Sequence, residues 1–217
     1  MRVAPYNGAM TTLAALVETS RRVTATTSRN AKVAELAALL RTLDATEIEV
    51  AVAYLSGETL QGRSGVGYAL LRDAQPQRRA DGAALSIGDV DAALATLAAT
   101  TGAGSKANRT RVLHDLFARA TEAERDFLAR LLIGELRQGA LESLMIDAVA
   151  AAADIPAAVV RNAAMVAHGV VSVARVALEE GAAGLARFEL QLLQPIAPML
   201  AQPAEDVGEA LRSLGRA

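Results

Sequence analysis

Apolar side chains recur at three- and four-residue spacing along most of this chain, and polar or glycine-containing stops cut the pattern into helix-length pieces. Thr12 to Val23 carries Leu13, Leu16 and Val17 on one face. A polar stop follows, and Ser28 has the chemistry of an N-cap for a helix through Val33, Leu36, Leu39, Leu40 and Leu43. Asp44 and Glu47 have capping-box spacing and open a helix through Ile48, Val52 and Leu55 that Gly57 ends. Residues 74–82 read as a polar connector. A helix through Leu94 and Leu97 comes next, then a loop from Gly102, with Ser105 as the expected cap of a helix through Val112, Leu113, Leu116 and Phe117. Thr121 and Glu124 form a second capping box, whose helix runs into Gly134. Further helices are predicted from Leu141, from Pro156 as first helical residue to His168, and from Val173 to Gly181. Beyond Leu193 the prolines at 195, 198 and 203 break any helix and predict an extended tether. The pattern therefore predicts an all-α fold, with a loose arm at 1–10, a helical domain at 11–192 and a linker at 193–217.

The pattern also repeats. An offset of 77 positions lays Ser28 on Ser105, Arg29 on Lys106 and Lys32 on Arg109, and then Glu47 on Glu124 and Leu55 on Leu132. The corner Gly57-Glu-Thr-Leu-Gln-Gly62 falls on Gly134-Glu-Leu-Arg-Gln-Gly139. Leucines matching leucines mean little in such a composition. A shared corner and a matched serine-plus-cation helix start mean more, and they predict a pseudo-two-fold of helical hairpins. Each copy offers a helix start with cations in its first turns and a glycine corner, both of which suit anions. Two related anion sites on one body suit a ligand with two charged rails, such as a nucleic-acid duplex.

Composition narrows the chemistry. Of the 217 residues 52% are hydrophobic but only 3% aromatic, the mixture of a packed helical protein. No cysteine is present, which excludes disulfides, zinc–thiolate sites and cysteine nucleophiles. His114 and His168 have no ligand-like companions. Gly62 to Gly67 has the glycine density of a phosphate loop, but no strand precedes it and no Gly-Lys-Ser/Thr follows, so a Walker or dinucleotide signature is excluded. Neither a secretory pattern nor a membrane-length apolar run is present, and the expectation is a cytoplasmic monomer with no membrane partner. The formal net charge of −2 stands against nucleic-acid binding unless arginines gather on one face.

The segment Gly102-Ala-Gly-Ser-Lys, Arg111-Val-Leu, Leu116-Phe, Glu124-Arg-Asp-Phe-Leu-Ala-Arg-Leu-Leu and Gly134-Glu-Leu-Arg-Gln-Gly resembles the N-terminal DNA-binding domain of bacterial ATP-dependent DNA ligases. The tail Pro195-Ile-Ala-Pro-Met-Leu-Ala is similar to the Pro-x-x-Pro-Met-Leu-Ala lead-in to the ligases' nucleotidyltransferase domain. The resemblance covers about residues 11–217. It implies sequence-independent binding of nicked double-stranded DNA through the minor-groove backbone, in replication, repair or recombination. It implies ATP and Mg2+ as cofactors of the parent enzyme, with none held by this chain. It also implies nucleotidyltransferase and OB domains as partners.

The chain departs from the family at one point. The ligases carry their nucleotidyl lysine in a Lys-x-Asp-Gly motif, and the only lysines here, Lys32 and Lys106, lack that context. No catalytic residue and no ligase chemistry are therefore expected of this chain alone. The expected DNA contacts are Ser105, Lys106, Asn108 and Arg109 at one helix start, with Arg137 and Gly139 at its corner. Their repeat mates are Ser28, Arg29, Lys32, Gln61, Gly62 and Arg63. Backbone contacts of this kind position a duplex without reading its sequence. The alternative is a helical protein–protein adaptor, which the negative charge and alanine-rich faces also suit.

Overall fold

Residues 10–62, 65–76, 84–136 and 142–189 are described by the structure, a computed structural model. Among them every regular element is a helix, as the apolar spacing predicts. The first five are α1 (Leu13–Ala25), α2 (Arg29–Leu40), α3 (Ala45–Ser56), α4 (Tyr68–Asp73) and α5 (Ile87–Ala99). The rest are α6 (Ser105–Arg119), α7 (Glu122–Leu132), α8 (Glu142–Ala153), α9 (Ala157–Val166) and α10 (Val170–Leu185). The expected tether and all of the expected arm but Met10 lie outside the described residues.

Local chemistry sets most of the helix starts. Ser28 caps α2 by accepting from the Ala31 N–H at 3.4 Å. Both expected capping boxes form, Asp44 with Glu47 on α3 and Thr121 with Glu124 on α7, and a third at Ser86 and Asp89 opens α5. Ser105 does not cap α6. Gly104, left-handed at φ +78, takes that position, and Ser105 becomes the first helical residue after its N–H bonds back to the Gly102 carbonyl. Pro156 is likewise one place earlier than expected: its backbone is extended, and its carbonyl accepts from Val159 as the N-cap of α9. The helix from Val170 breaks at Gly181, as expected, where φ +64 and ψ −152 are not helical, and beyond that kink a further turn continues to Leu185.

Helices α1 and α5 begin together. Thr12 and Ser86, their respective N-caps, face one another in an isolated antiparallel bridge, with the Leu13 N–H on the Leu85 carbonyl and the Ile87 N–H on the Thr11 carbonyl. Both helices are 13 residues long. The packing around them is reciprocal: α1 meets α2 and α7, while α5 meets α6 and α3. In the same way α8 lies on α2, and the short α4 lies on α6. Each hairpin thus completes the other half of the chain. Helices α9 and α10 close the remaining face against α8 and α3. One continuous core results, with Leu13, Leu16, Tyr54, Leu55, Phe117 and Leu128 fully enclosed.

Polar ties fix the angles between these helices. Glu47, buried, holds the Thr11 N–H at 2.7 Å and its hydroxyl at 2.6 Å as well as the Asp44 N–H, so a capping residue also anchors the start of the chain's described part. Asp89 accepts from the Ser86 N–H and, at 2.9 Å, from Arg119 on α6. The Ser86 N–H, and then Arg119, hold the Asp89 carboxyl below the usual carboxylate range. Its stabilising contribution is therefore complete above the ordinary aspartate pKa and disappears as pH falls through the lowered folded value. The stability gap between wild type and Asp89→Asn should accordingly be widest at neutral pH and close as pH falls below the ordinary aspartate range and through the lowered folded value. Denaturant unfolding across that range measures it, and a gap independent of pH would show that the carboxylate's charge contributes nothing.

Candidate functional site

The two glycine corners are built alike. At the end of α3 the Gly57 N–H bonds to Tyr54 O at 3.1 Å and the Glu58 N–H to Ala53 O at 2.9 Å. At the end of α7 the Gly134 N–H bonds to Leu131 O at 3.2 Å and the Glu135 N–H to Arg130 O at 2.8 Å. These are the same bonds at the offset of 77, and both glycines are left-handed, at φ +84 and +74, where a side chain would strain the backbone.

The corners also meet. A Cβ placed on Gly57 would lie 3.1 Å from the Leu136 carbonyl oxygen. Between the corners opens a cleft of about 710 Å³, whose lining includes Gly57, Gly62, Val66, Tyr68, Leu132 and Gly134. The hydroxyl of Tyr68, one of the lining residues, donates to Glu135 Oε1, and that hydrogen bond to the carboxylate raises the phenol's pKa.

Each helix start lies beside the element that follows the other copy's corner. Arg29, at the start of α2, bonds Asp147 Oδ2 at 2.7 Å and the Ser143 carbonyl at 3.2 Å, both on α8. Arg161 approaches the same carboxylate at 3.6 Å. At the far end of α2, Arg41 donates to the Ala151 carbonyl, so α2 and α8 run side by side in one direction. On the other side the Arg109 guanidinium rests against Gly65, its Nη2 3.3 Å from where a Cβ would stand.

The expected contacts therefore separate into groups. Lys106 and Asn108 are exposed and Ser105 and Arg109 half-buried on the first turns of α6, beside the loop that carries Gly62 and Gly65. Ser28 is exposed but caps its helix, Arg29 is engaged with Asp147, and Lys32 is half-buried. Gln61 Nε2 donates to Asp91 on α5 at 2.8 Å, which turns its amide toward the fold, while Gly62 stays exposed. Arg63, Arg137 and Gly139 lie outside the described residues.

Arg111 was missed. It is exposed on the same helix and donates to Asn108 Oδ1 at 3.3 Å. The run Lys106-x-x-Arg109-x-Arg111, with no acid before Asp115, was the available signal. It concentrates positive charge on one helix of an otherwise acidic chain. The same end of α6 carries the positive pole of the helix, and no side chain caps it. Against this stand the exposed carboxylates Glu58 and Glu135 at the corners, the second of them held by Tyr68. Among the described residues no cluster of acids and histidines could hold a metal ion, and no helix is long and apolar enough to cross a membrane.

Comparison with known proteins falls on the same segment. Residues 66–150, from the cleft into α8, match the family described as DNA ligase N terminus. A probable DNA ligase of Anaeromyxobacter sp. (strain Fw109-5) is 52% identical over 206 residues, 94% of this chain and 40% of the relative. Probable DNA ligases of Rhodococcus opacus (strain B4) and Sorangium cellulosum (strain So ce56) are 48% and 49% identical over 92% of the chain. The chain spans about two fifths of the length of these relatives.

Proposed function

We propose, from the premise that this chain belongs to the family of DNA ligase N-terminal domains, that it grips nicked double-stranded DNA by the sugar–phosphate backbone, without reading its sequence. One observation carries the reading: two identically bonded glycine corners share one cleft, and the cation-rich start of α6 stands beside it. Lys106 and Arg111 meet phosphates directly, and the positive end of α6 favours the same charge. Arg109 holds α6 against Gly65, so the helix start and the corner approach the duplex as one surface. Ser105 and Asn108 supply short polar contacts, and Ser28, Lys32 and Gly62 extend the surface on the first copy. Arg29 acts chiefly through Asp147, fixing α2 to α8.

In this reading the domain positions DNA for a nucleotidyltransferase and an OB domain, which use ATP and Mg2+ in the parent ligase. It works inside the cell, and the 217-residue chain does not adenylate itself.

The test is a nicked-duplex titration at 50 and 200 mM salt with duplexes of unrelated sequence. Affinity should be equal across sequences and should fall steeply with salt. In the same assay Arg137→Ala should lower the log–log salt slope by about 0.9, the value for one lost phosphate contact, while Arg79→Ala in the connector should leave it unchanged. Absence of any duplex binding would return the chain to the adaptor reading.

A further inference from the structure

The start of α2 carries more positive charge than its one ion pair balances. Arg29 is committed to α8: its Nε and Nη2 donate to Asp147 Oδ2 at 3.2 and 2.7 Å, and Nη2 also reaches the Ser143 carbonyl at 3.2 Å. The carboxylate is only 25% exposed, and this one guanidinium, bonded through two nitrogens, balances its charge. A second guanidinium nevertheless stands beside it. Arg161, on α9, approaches Asp147 Oδ1 at 3.6 Å. That separation is longer than a hydrogen bond, so the donors of Arg161 are not taken up by the carboxylate. Lys32 adds a further cation one turn along α2 from Arg29. The neighbouring acid, Glu142, turns elsewhere, its Oε1 3.8 Å from where a Cβ on Gly169 would stand. With the pair of Arg29 and Asp147 neutral, Arg161 and Lys32 remain.

Tying α9 to α8 does not account for Arg161. The two helices pack directly, and α9 buries Val160, Ala163 and Ala164 in the core. Arg161 itself is 50% exposed, and an ion pair so open to water adds little stability. The repeat gives the arrangement a meaning. The offset of 77 lays Arg29 on Lys106, and it lays residues 145–150 of α8 on α4. Helix α8 lies on α2 as α4 lies on α6. The mate of Asp147 is then Leu70, which has no charge. The acid that engages Arg29 thus has no counterpart for Lys106, which stays exposed. In one copy the cation at this place is open to an anion. In the other it is occupied by Asp147, and α9 brings a second cation to the same carboxylate.

We propose that Arg161 is a phosphate contact at the start of α2, supplied by α9 in place of the cation that Asp147 occupies. Its guanidinium takes one backbone phosphate of a DNA strand, with Lys32 adding charge from α2. Arg29 and Asp147 form the neutral strut that holds α2 against α8 and fixes the place at which Arg161 stands. Both halves of the domain then present cations to the duplex, α6 from its own first turns and α2 with a residue borrowed from α9. The proposal rests on the DNA-binding reading above and adds to it a contact from a helix that the reading leaves out.

Arg161→Gln in the 217-residue chain is the direct test, with Arg161→Lys beside it to restore the charge. Arg175→Gln is the control for net charge, because Arg175 is as exposed as Arg161 and is also ion-paired, with Glu49. Binding is followed by fluorescence anisotropy on a nicked DNA duplex between about 50 and 200 mM salt. Arg161→Gln should lose roughly tenfold in affinity, as for one charge-assisted hydrogen bond, and about 0.9 of the log–log salt slope. Arg161→Lys should keep the slope of wild type, and Arg175→Gln should keep both slope and affinity. Thermal unfolding of all three should match wild type, since the replaced side chains are exposed. A wild-type slope in Arg161→Gln overturns the proposal and leaves Arg161 a surface ion pair, with DNA binding itself intact. A lowered slope that Arg161→Lys fails to restore overturns it too. So does an equal loss in Arg175→Gln, which would belong to net charge. A wild type that binds no duplex removes both the proposal and the reading beneath it.

Discussion

Replacing Lys106 and Arg111 together by glutamate is expected to lower affinity for nicked duplex DNA by roughly 100-fold or more at moderate salt. Both side chains are exposed on the first two turns of α6, where the helix pole adds to their charge. A charge-assisted hydrogen bond contributes about 1.5–3 kcal/mol, so two lost phosphate contacts amount to about 3–6 kcal/mol before any repulsion from the new carboxylates. The log–log salt slope should fall by about 1.8, at about 0.9 per phosphate. Arg175→Glu is the matched control, because Arg175 pairs with Glu49 across α10 and α3, away from the cleft. Anisotropy titrations of the three proteins between 50 and 200 mM salt decide the matter. A double variant with the slope of wild type would place the interface on another face.

Phe117→Ala is expected to reduce the stability of the whole domain by about 3–5 kcal/mol. The ring is completely enclosed on the inner side of α6, beside Leu113 and Leu116. Its removal leaves a cavity that the surrounding helices can only partly fill. In a domain of this size the midpoint of thermal unfolding should drop by roughly 6–20 °C, which circular dichroism would read. The outer face of α6 carries the proposed DNA contacts, so binding should weaken on heating well before it does in wild type. A midpoint within a degree or two of wild type would mean that the core closes over the lost ring.

The parts of this fold written in short-range chemistry were legible. The caps at Ser28, Asp44 and Thr121 each bond within three residues, and both corner glycines announce their left-handed turns. Ser105 misled because two glycines before it start the turn early and give the cap to Gly104. Helix α4 was invisible: it has six residues, follows a glycine-rich stretch, and is held by packing against α6 rather than by its own propensity. The engagement of Arg29 depends on Asp147, 118 positions away, which no local pattern records. The likeness of α1 and α5, in length and in a side-chain cap, was hidden for another reason. Their caps match at an offset of 74, outside the register of 77 that pairs the caps of α3 and α7 and the two corners. That the two corners face one cleft is a fact of three dimensions only.

The exchange of partners between the halves governs how the chain acquires its structure. During synthesis α1, α2 and α3 leave the ribosome before α7, α8 and α5, the surfaces that cover them, have been made. At about 5–20 residues per second, the first hairpin therefore waits several seconds with its apolar faces uncovered. Its contacts with α7 and α8 span 70 residues or more of sequence, as the bridge between Thr12 and Ser86 does, and such long-range pairings slow folding. On this packing neither hairpin is expected to fold by itself. Severed in the connector around residue 80, the two fragments would each remain incomplete, and together they could assemble the native domain.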